Sequence, residues 1–141
     1  MGYSAGKGGT TSAPYSSGTN NVAVGAYAFD GFTTAEQTTA IGYNAGGTIT
    51  TGIRNVLVGA YSGDALTSGA RNVAIGTHAL GSATTADLNV AIGQGAMESA
   101  AAGVAFLGAI AIGKDALTAL NNTSANGTIA IGYQAGKAIT S

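Results

Sequence analysis

The 141-residue sequence has no cysteine, no tryptophan, one proline and only 8% charged residues, against a usual charged share of about 25%. Without cysteine the chain cannot form disulfides, and its redox compartment cannot be read from the sequence. The formal net charge of −1 offers no electrostatic basis for binding nucleic acid or an anionic membrane surface. Partners of those two classes are therefore not expected.

Long apolar runs and recognisable ligand motifs are also missing. The longest apolar stretch, residues 104–112, is far shorter than the roughly 18 residues of a membrane span, so no membrane insertion is expected. No basic region followed by an apolar run opens the chain, so no signal peptide is recognised. The phosphate-loop order and the aspartate-rich calcium loop are absent as well. The sequence predicts no catalytic residue, no metal site and no cofactor.

Glycine is abundant instead, at 24 of 141 residues, and much of it belongs to a motif that recurs through the chain. The motif reads Asn or Thr, Val or Ile, Ala or Leu, Ile or Val, then Gly, with a small residue three positions later. Gly2 begins an incomplete copy. The spacing is 17 residues over the first five complete copies, then 20 and 19. A near-constant period indicates stacked units rather than one globular core. The repeat glycines are Gly25, Gly42, Gly59, Gly76, Gly93, Gly113 and Gly132.

Each copy of the motif has the pattern of a short strand, because β-branched residues alternate with alanine at a period of two. We predict that the β-branched residues form the core and that the alanine face allows close approach of another element. The glycine that ends each strand predicts a tight bend or a positive φ. The predicted core columns are Val22, Val24, Ile41, Val56, Val58, Val73, Ile75, Val90, Ile92, Ile110, Ile112, Ile129 and Ile131.

A second apolar column lies seven residues after the glycines, at Phe32, Ile49 and Leu66, and a Thr pair and a small turn residue follow it. Each unit is thus predicted to be one coil with two short strands and two turns. The alternative, short helical turns, is disfavoured because isolated helices below about 12 residues are marginal. The predicted fold is all-β, a repeat β-roll or β-solenoid of about seven to eight short coils with 17–23-residue repeats.

The prediction treats residues 1–141 as a single repeat domain, a fragment of a longer fibre, because the copies at both ends are interrupted. Irregular loop insertions are predicted at 7–20, 99–108 and 119–127, where the spacing lengthens. One coil of this size cannot enclose a full core. We therefore expect three chains to pack around an axis and bury the apolar faces.

The motif Asn-Val-Ala-Ile-Gly, at residues 72–76 and 89–93, resembles the head repeats of trimeric autotransporter adhesins. The form Gly-Tyr-Gln-Ala-Gly at 132–136 resembles repeats of bacteriophage tail-fibre proteins. The resemblance implies a homotrimeric, left-handed parallel β-roll at an extracellular or virion surface. The repeats are longer than those common in adhesin heads, and the sequence has no anchor, stalk or chaperone segment. These departures favour a fibre of the phage type.

The function predicted on this basis is a structural and adhesive fibre segment that presents loops for host or surface attachment, without enzymatic activity. Expected partners are further copies of the chain, as a homotrimer or an end-to-end filament, and a host-surface glycan or protein receptor. A structural ion on a trimer axis is compatible with the sequence. Three alternatives stay open: an ice-binding solenoid, a purely structural filament subunit, and a tailspike enzyme with carboxylates converging across chains.

The candidate surface contacts are the aromatic residues one or two positions after the glycines. Rows of tyrosine can bind carbohydrate or protein through flat, amphipathic contacts, although stacking between coils is the competing interpretation. The single histidine shares the repeat position of two tyrosines, which favours stacking over catalysis. The candidates are Tyr27, Tyr43, Tyr61, His78 and Tyr133.

Charged and hydroxylated residues also recur in register. Asp30, Asp64 and Glu98 lie five residues after a glycine in every second coil, a spacing that separates like charges or builds an ion site. Arg54 and Arg71 occupy equivalent positions in adjacent coils. Because stacked arginines repel, we predict that they pair across a chain interface, with Asp64 or Asp87 as candidates, or else face solvent. The Thr pairs consist of adjacent residues, so a strand would leave a single rank of hydroxyls on one face.

Overall fold

The computed structural model describes residues 2–8, 16–98, 106–118 and 126–137. Within these ranges the regular secondary structure is entirely β, and no segment is helical. Seven three-residue strands form one parallel sheet in chain order. The predicted all-β solenoid is therefore confirmed. The strands are β1 Val22–Val24, β2 Thr39–Ile41, β3 Val56–Val58, β4 Val73–Ile75, β5 Val90–Ile92, β6 Ile110–Ile112 and β7 Ile129–Ile131.

Each strand pairs with the next strand at equivalent motif positions, so the repeat of the sequence sets the register of the sheet. Ala23 lies opposite Ala40, and Ala91 lies opposite Ala111 although the spacing there is 20 residues. The chain makes one coil between successive strands, and the lengthened repeats keep their register. The predicted loops at 7–20, 99–108 and 119–127 lie largely outside the described residues, which omit 9–15, 99–105 and 119–125.

The two faces of the strands are reversed relative to the prediction of the core. The central residue of each strand points inward, and Ala40, Leu57, Ala74, Ala91 and Ala111 are fully buried. The flanking Val and Ile residues point outward, and none of them belongs to the buried core. In every coil except that of Leu57, the inward position of the strand holds only a methyl group, because larger side chains from other positions of the coil fill the rest of the interior. The predicted core columns, Val22, Val24, Ile41, Val56, Val58, Val73, Ile75, Val90, Ile92, Ile110, Ile112, Ile129 and Ile131, instead form the outer face of the sheet.

The repeat glycines adopt the positive φ that was predicted, between 125° and 138°. They also lie so close to the next coil that a side chain would not fit. A Cβ at Gly76 would lie 2.6 Å from the carbonyl carbon and oxygen of Gly93, and a Cβ at Gly93 would lie 2.6 Å from the same atoms of Gly113. The column of glycines therefore lets adjacent coils approach closely at the corner where each strand ends.

Side-chain sizes in the interior compensate between neighbouring coils. The buried position four residues after each glycine holds a large side chain in several coils where the strand centre is alanine, as at Leu80 and Met97. At Gly46 and Gly63 this position is empty, and Leu57 at the centre of β3 fills the space. A Cβ at these glycines would lie 2.7 and 2.8 Å from the Leu57 methyl groups. A large side chain at the strand centre thus takes the place of a large side chain four residues after the glycine, and the interior stays filled.

A ladder of buried asparagines runs beside the alanine core, at the first position of the motif. Asn55, Asn72 and Asn89 are fully buried. The Asn72 side chain donates to Asn55 Oδ1 at 3.0 Å and to the Ala86 carbonyl at 2.7 Å. Its own Oδ1 accepts from the backbone N–H and the side-chain amide of Asn89, both at 3.1 Å. The ladder satisfies backbone groups at the corner before each strand, where the sheet cannot reach them.

The second apolar column is buried as predicted, with Ile49, Leu66 and Ala83 inaccessible to solvent. The second strand predicted in each coil is wrong, because the Thr segments are turns and bends. Coils nevertheless bond there, since the Thr50 carbonyl accepts both the backbone N–H of Thr33 at 2.9 Å and its hydroxyl at 3.0 Å. One three-residue strand per coil is as much regular sheet as the tight turns allow.

Many turn residues adopt a left-handed backbone conformation without being glycine. The second residue after the repeat glycine does so as Tyr27, Tyr61 and His78, each with φ of 58°. The position five before the glycine does so as Arg71 and Leu88, with φ of 57° and 62°. Residues other than glycine adopt this region at a cost of about 1–2 kcal/mol each. The inter-coil hydrogen bonds and the packed interior must offset this cost in every coil.

Candidate binding surfaces

The surface of the described residues is smooth and lacks concave sites. No cavity is present in it, and no three His, Asp or Glu side chains lie close enough to hold a metal ion. None of the described segments forms a helix that could cross a membrane. Any ligand of this part of the chain must therefore bind on an exposed face, and two such faces are built by the repeat.

The first surface is the outer face of the sheet, formed by the Val and Ile columns and called here the aliphatic face. In β1 to β4, Val22, Val24, Ile41, Val56 and Ile75 are 38–48% exposed. Parallel sheets occur almost only with both faces covered, and here only the inner face is covered by the described residues. Contiguous exposed apolar surfaces are typical of sites of association, which makes this face a candidate binding surface.

The second surface is a column of five rings, Tyr3, Tyr27, Tyr43, Tyr61 and His78, called here the aromatic ridge. Successive ring centroids are 5.5, 5.8, 5.2 and 4.9 Å apart. The ridge follows the turn just after the repeat glycines, so the coil spacing places one ring above the next. The stacking between coils that was the competing interpretation is present. Three of its tyrosines are also exposed, so stacking and surface contact are compatible.

The orientation of the rings in the aromatic ridge follows from their repeat positions. Tyr61 and His78 both lie two residues after a glycine, and their rings are parallel within 5°. Tyr3 and Tyr43 lie one residue after a glycine, and they meet their neighbours edge to face, at 67–83°. Both geometries are favourable for aromatic pairs. Partial desolvation and the neighbouring Tyr43 raise the pKa of the Tyr61 phenol.

Tyr133 lies outside the aromatic ridge. Its ring is 70% exposed and makes no ring contact with the other described residues. The coils between it and His78 carry Gln94 and Lys114 one residue after the glycine. The structure thus joins four of the five predicted surface residues in one column with Tyr3, which has the same place after a repeat glycine, and leaves Tyr133 apart.

Acidic residues collect at the His78 end of the aromatic ridge. His78 Nδ1 lies 3.8 Å from Glu98 Oε1, and the Asp64 carboxylate lies over Gly81 of the next coil. Burial raises the pKa of the Asp64 carboxyl, and the nearby charge of Glu98 raises it further, whereas a backbone hydrogen bond and His78 lower it. Glycine in the intervening coil gives Asp64 the room that the spacing of like charges requires.

Both arginines contact polar side chains of the same chain, and Arg71 meets Asp87, one of the two predicted partners. Arg71 Nη1 lies 3.3 Å from Asp87 Oδ2, and both side chains are partly exposed. Arg54 Nε donates to Gln37 Oε1 at 2.9 Å. Each arginine meets a polar side chain of an adjacent coil, because equivalent positions are stacked. Asp64, the other predicted partner, lies instead near His78 and Glu98.

The threonine pairs divide into two ranks. The hydroxyls of Thr33, Thr50 and Thr67 donate to a carbonyl of the next coil at 3.0–3.1 Å. The second member of each pair is exposed, as at Thr51 and Thr85. The single exposed rank that the sequence predicts is therefore present, while the first rank stabilises the stack.

The buried asparagine ladder is the element that sequence reasoning missed. The signal for it was present, because Asn recurs at the first position of the motif in four copies.

Comparison with protein-family models, with curated proteins and with solved structures found no match to this chain.

Proposed function

We propose that this chain is a structural and adhesive fibre segment in which three copies pack through their aliphatic faces, without enzymatic activity. The single observation that carries the proposal is the uncovered outer face of the parallel sheet. Such a face requires a cover. A second class of support is the resemblance of the repeats to those of adhesin heads and phage fibres, which implies a trimer at an extracellular or virion surface.

Further copies of the same chain suit the aliphatic face better than a chemically different partner. The face is regular along its length, because equivalent residues of successive strands are stacked in register. Only another surface with the same coil spacing matches it over several coils, and cyclic packing of identical faces is the common solution in oligomers. The chain has few charges with which to specify a different partner.

In this arrangement the stack of coils acts as a spacer, and contacts repeated on three chains provide attachment by avidity. Weak contacts become strong when a rigid assembly presents several of them at once. The absence of a cavity in the described residues fits surface contact better than enclosure of a small substrate.

The experiment that tests the proposal is the molar mass in solution, measured by light scattering after size exclusion. We expect a mass of about 40 kDa, three times 13.5 kDa. The triple variant Ile41→Thr, Val58→Thr, Ile75→Thr replaces an ethyl or methyl group with a hydroxyl at three positions of the aliphatic face. It keeps the β-branched shape and leaves the interior unchanged, and it should fall to the mass of one chain.

The matched control is the double variant Leu88→Asn, Leu107→Thr, whose leucines are 49% and 48% exposed but lie outside the strands. Asparagine is used at Leu88 because it tolerates the left-handed φ of 62° at that position, which a β-branched residue does not. It should keep the mass of the unmodified chain. A monomer of 13.5 kDa for the unmodified protein would contradict the proposal, as would a trimer that the triple variant leaves intact.

A further inference from the structure

The aromatic ridge presents its rings unevenly, because from Tyr3 to Tyr61 the ring alternates between one and two residues after the glycine. Tyr3 and Tyr43, one residue after their glycines, are 74% and 47% exposed, whereas Tyr27 between them is 38% exposed. Tyr27 meets both neighbours edge to face, at 75° and 83°. Two rings at the same repeat position, those of Tyr3 and Tyr43, therefore recur about 10 Å apart, the height of two coils at about 4.8 Å each.

A ligand of the aromatic ridge must be extended, because the described surface has no cavity and the rings form a line along the coil stack. It must also accept contact with aromatic faces and tyrosine hydroxyls together. Among the described residues, the ion pairs are those of Arg71 and His78. Neither involves a residue of the exposed part of the ridge, from Tyr3 to Tyr43. These features describe an uncharged, linear and periodic ligand.

We propose that the aromatic ridge binds a linear neutral polysaccharide laid along the coil stack, with sugar rings packed on Tyr3 and Tyr43. Pyranose rings have apolar C–H faces that pack on aromatic rings and hydroxyl edges that hydrogen-bond to phenols and amides. A polysaccharide has a repeat of its own, so it can match the periodic spacing of the rings. A folded protein receptor has no such repeat. Asn44, beside Tyr43, is partly exposed and adds an amide at the same turn.

The inference rests on the proposed attachment role, for which it names the class of receptor. In a trimer the ridge would occur three times, so weak binding at each copy would add through avidity. The binding itself needs only the coils from Tyr3 to His78 of one chain.

The test is affinity electrophoresis in native gels that contain dextran, hydroxyethyl cellulose, galactomannan or laminarin, with gelatin as an extended protein probe. We expect at least one polysaccharide to retard the protein and gelatin not to. Tyr43→Ala should weaken this binding about tenfold, since truncated aromatic anchors commonly cost this much. The chain has no tryptophan, so tyrosine emission gives a second, independent titration.

Tyr133→Ala is the matched control, because Tyr133 is 70% exposed, close to the 74% of Tyr3, but lies outside the ridge, and it should bind as the unmodified protein does. If Tyr43→Ala does not fold, Tyr3→Ala replaces it, since Tyr3 contacts only one ring of the ridge. Retardation by none of the four polysaccharides would overturn the inference. So would retardation by gelatin alone, or polysaccharide binding that both ridge variants leave unchanged.

Molar mass measured on the same samples separates this inference from the proposed function. A trimer that no polysaccharide retards overturns the inference and leaves the fibre proposal intact. A monomer that a polysaccharide retards through Tyr43 supports the inference and overturns the trimer.

Discussion

The two faces of the sheet are built from the same three-residue strands, yet they obey opposite rules. The inner face carries alanine at nearly every strand centre and tolerates one leucine, Leu57, where glycines of adjoining coils leave room. The outer face carries valine and isoleucine at every position except Thr39, and leaves them partly exposed. The comparison shows that residue size inside the coil is set by the width of the coil. Hydrophobicity outside it is free to serve association.

The largest effect should follow from emptying the one wide position of the inner face. Leu57→Ala removes a fully buried side chain between Gly46 and Gly63, and it should destabilise the protein by about 2–5 kcal/mol in chemical denaturation. Adding Gly63→Leu should recover part of the loss, because Leu80 fills the equivalent position with a similar backbone φ. A double variant no more stable than Leu57→Ala would contradict the size compensation.

The asparagine ladder at the edge of the inner face should be nearly as sensitive. Asn72→Ala leaves the Ala86 carbonyl and the Asn89 N–H buried without their partners, at about 1–2 kcal/mol for each group. We expect a total loss of about 2–4 kcal/mol in the free energy of unfolding. Asn21→Ala, on a partly exposed residue that makes two such bonds, should cost less. Equal losses in the two variants would argue against the ladder as a cooperative element.

Backbone strain on the outer surface should yield a smaller effect of either sign. Leu88 is half exposed with φ of 62°, and the equivalent position in later coils is Gly108 or Gly127. Leu88→Gly should stabilise the protein by about 0.5–1 kcal/mol. This is the energetic cost of a left-handed φ for leucine minus the conformational entropy that glycine loses on folding. Gly127→Ala, at φ of 70° with open space around it, should lose about 1 kcal/mol. Urea denaturation of both variants checks the pair, and changes of the same sign would contradict it.

The smallest effect should come from the Asp64 carboxyl beside the aromatic ridge. Its pKa is raised by burial, so its charged form is disfavoured in the folded state. The folded protein then holds the proton more tightly than the unfolded chain, and stability contributed by this group falls as pH rises from the ordinary pKa of 3.8 through the raised value. Asp64→Asn should therefore raise the melting temperature at neutral pH and lose this advantage at about pH 3. An advantage that is equal at both pH values would exclude this cause.

The repeat, its glycines and the second apolar column could be predicted, because each follows from spacing or from a backbone constraint visible in the sequence. Which face of each strand points into the coil could not be predicted. Period-two alternation identifies two faces, but alanine and valine are both apolar, and the width of the coil decides which of them is inside. The role of asparagine was hidden for a similar reason, since Asn72 in isolation has the pattern of a turn residue. The stacking of His78 on Tyr61 could be predicted, because residues at equivalent repeat positions of adjacent coils lie one above the other.

The strands contact only the strand before and the strand after them in the chain. In such a repeat protein, folding can begin at any coil and propagate to its neighbours. Each further coil pairs with the exposed edge of the last one and closes a loop of about one repeat. Amide hydrogen exchange should then decline from the outer coils toward the middle of the stack rather than switch as one unit. An array of this kind can gain or lose whole repeats without disturbing the contacts of the others, so duplication of one repeat lengthens the stack by one coil.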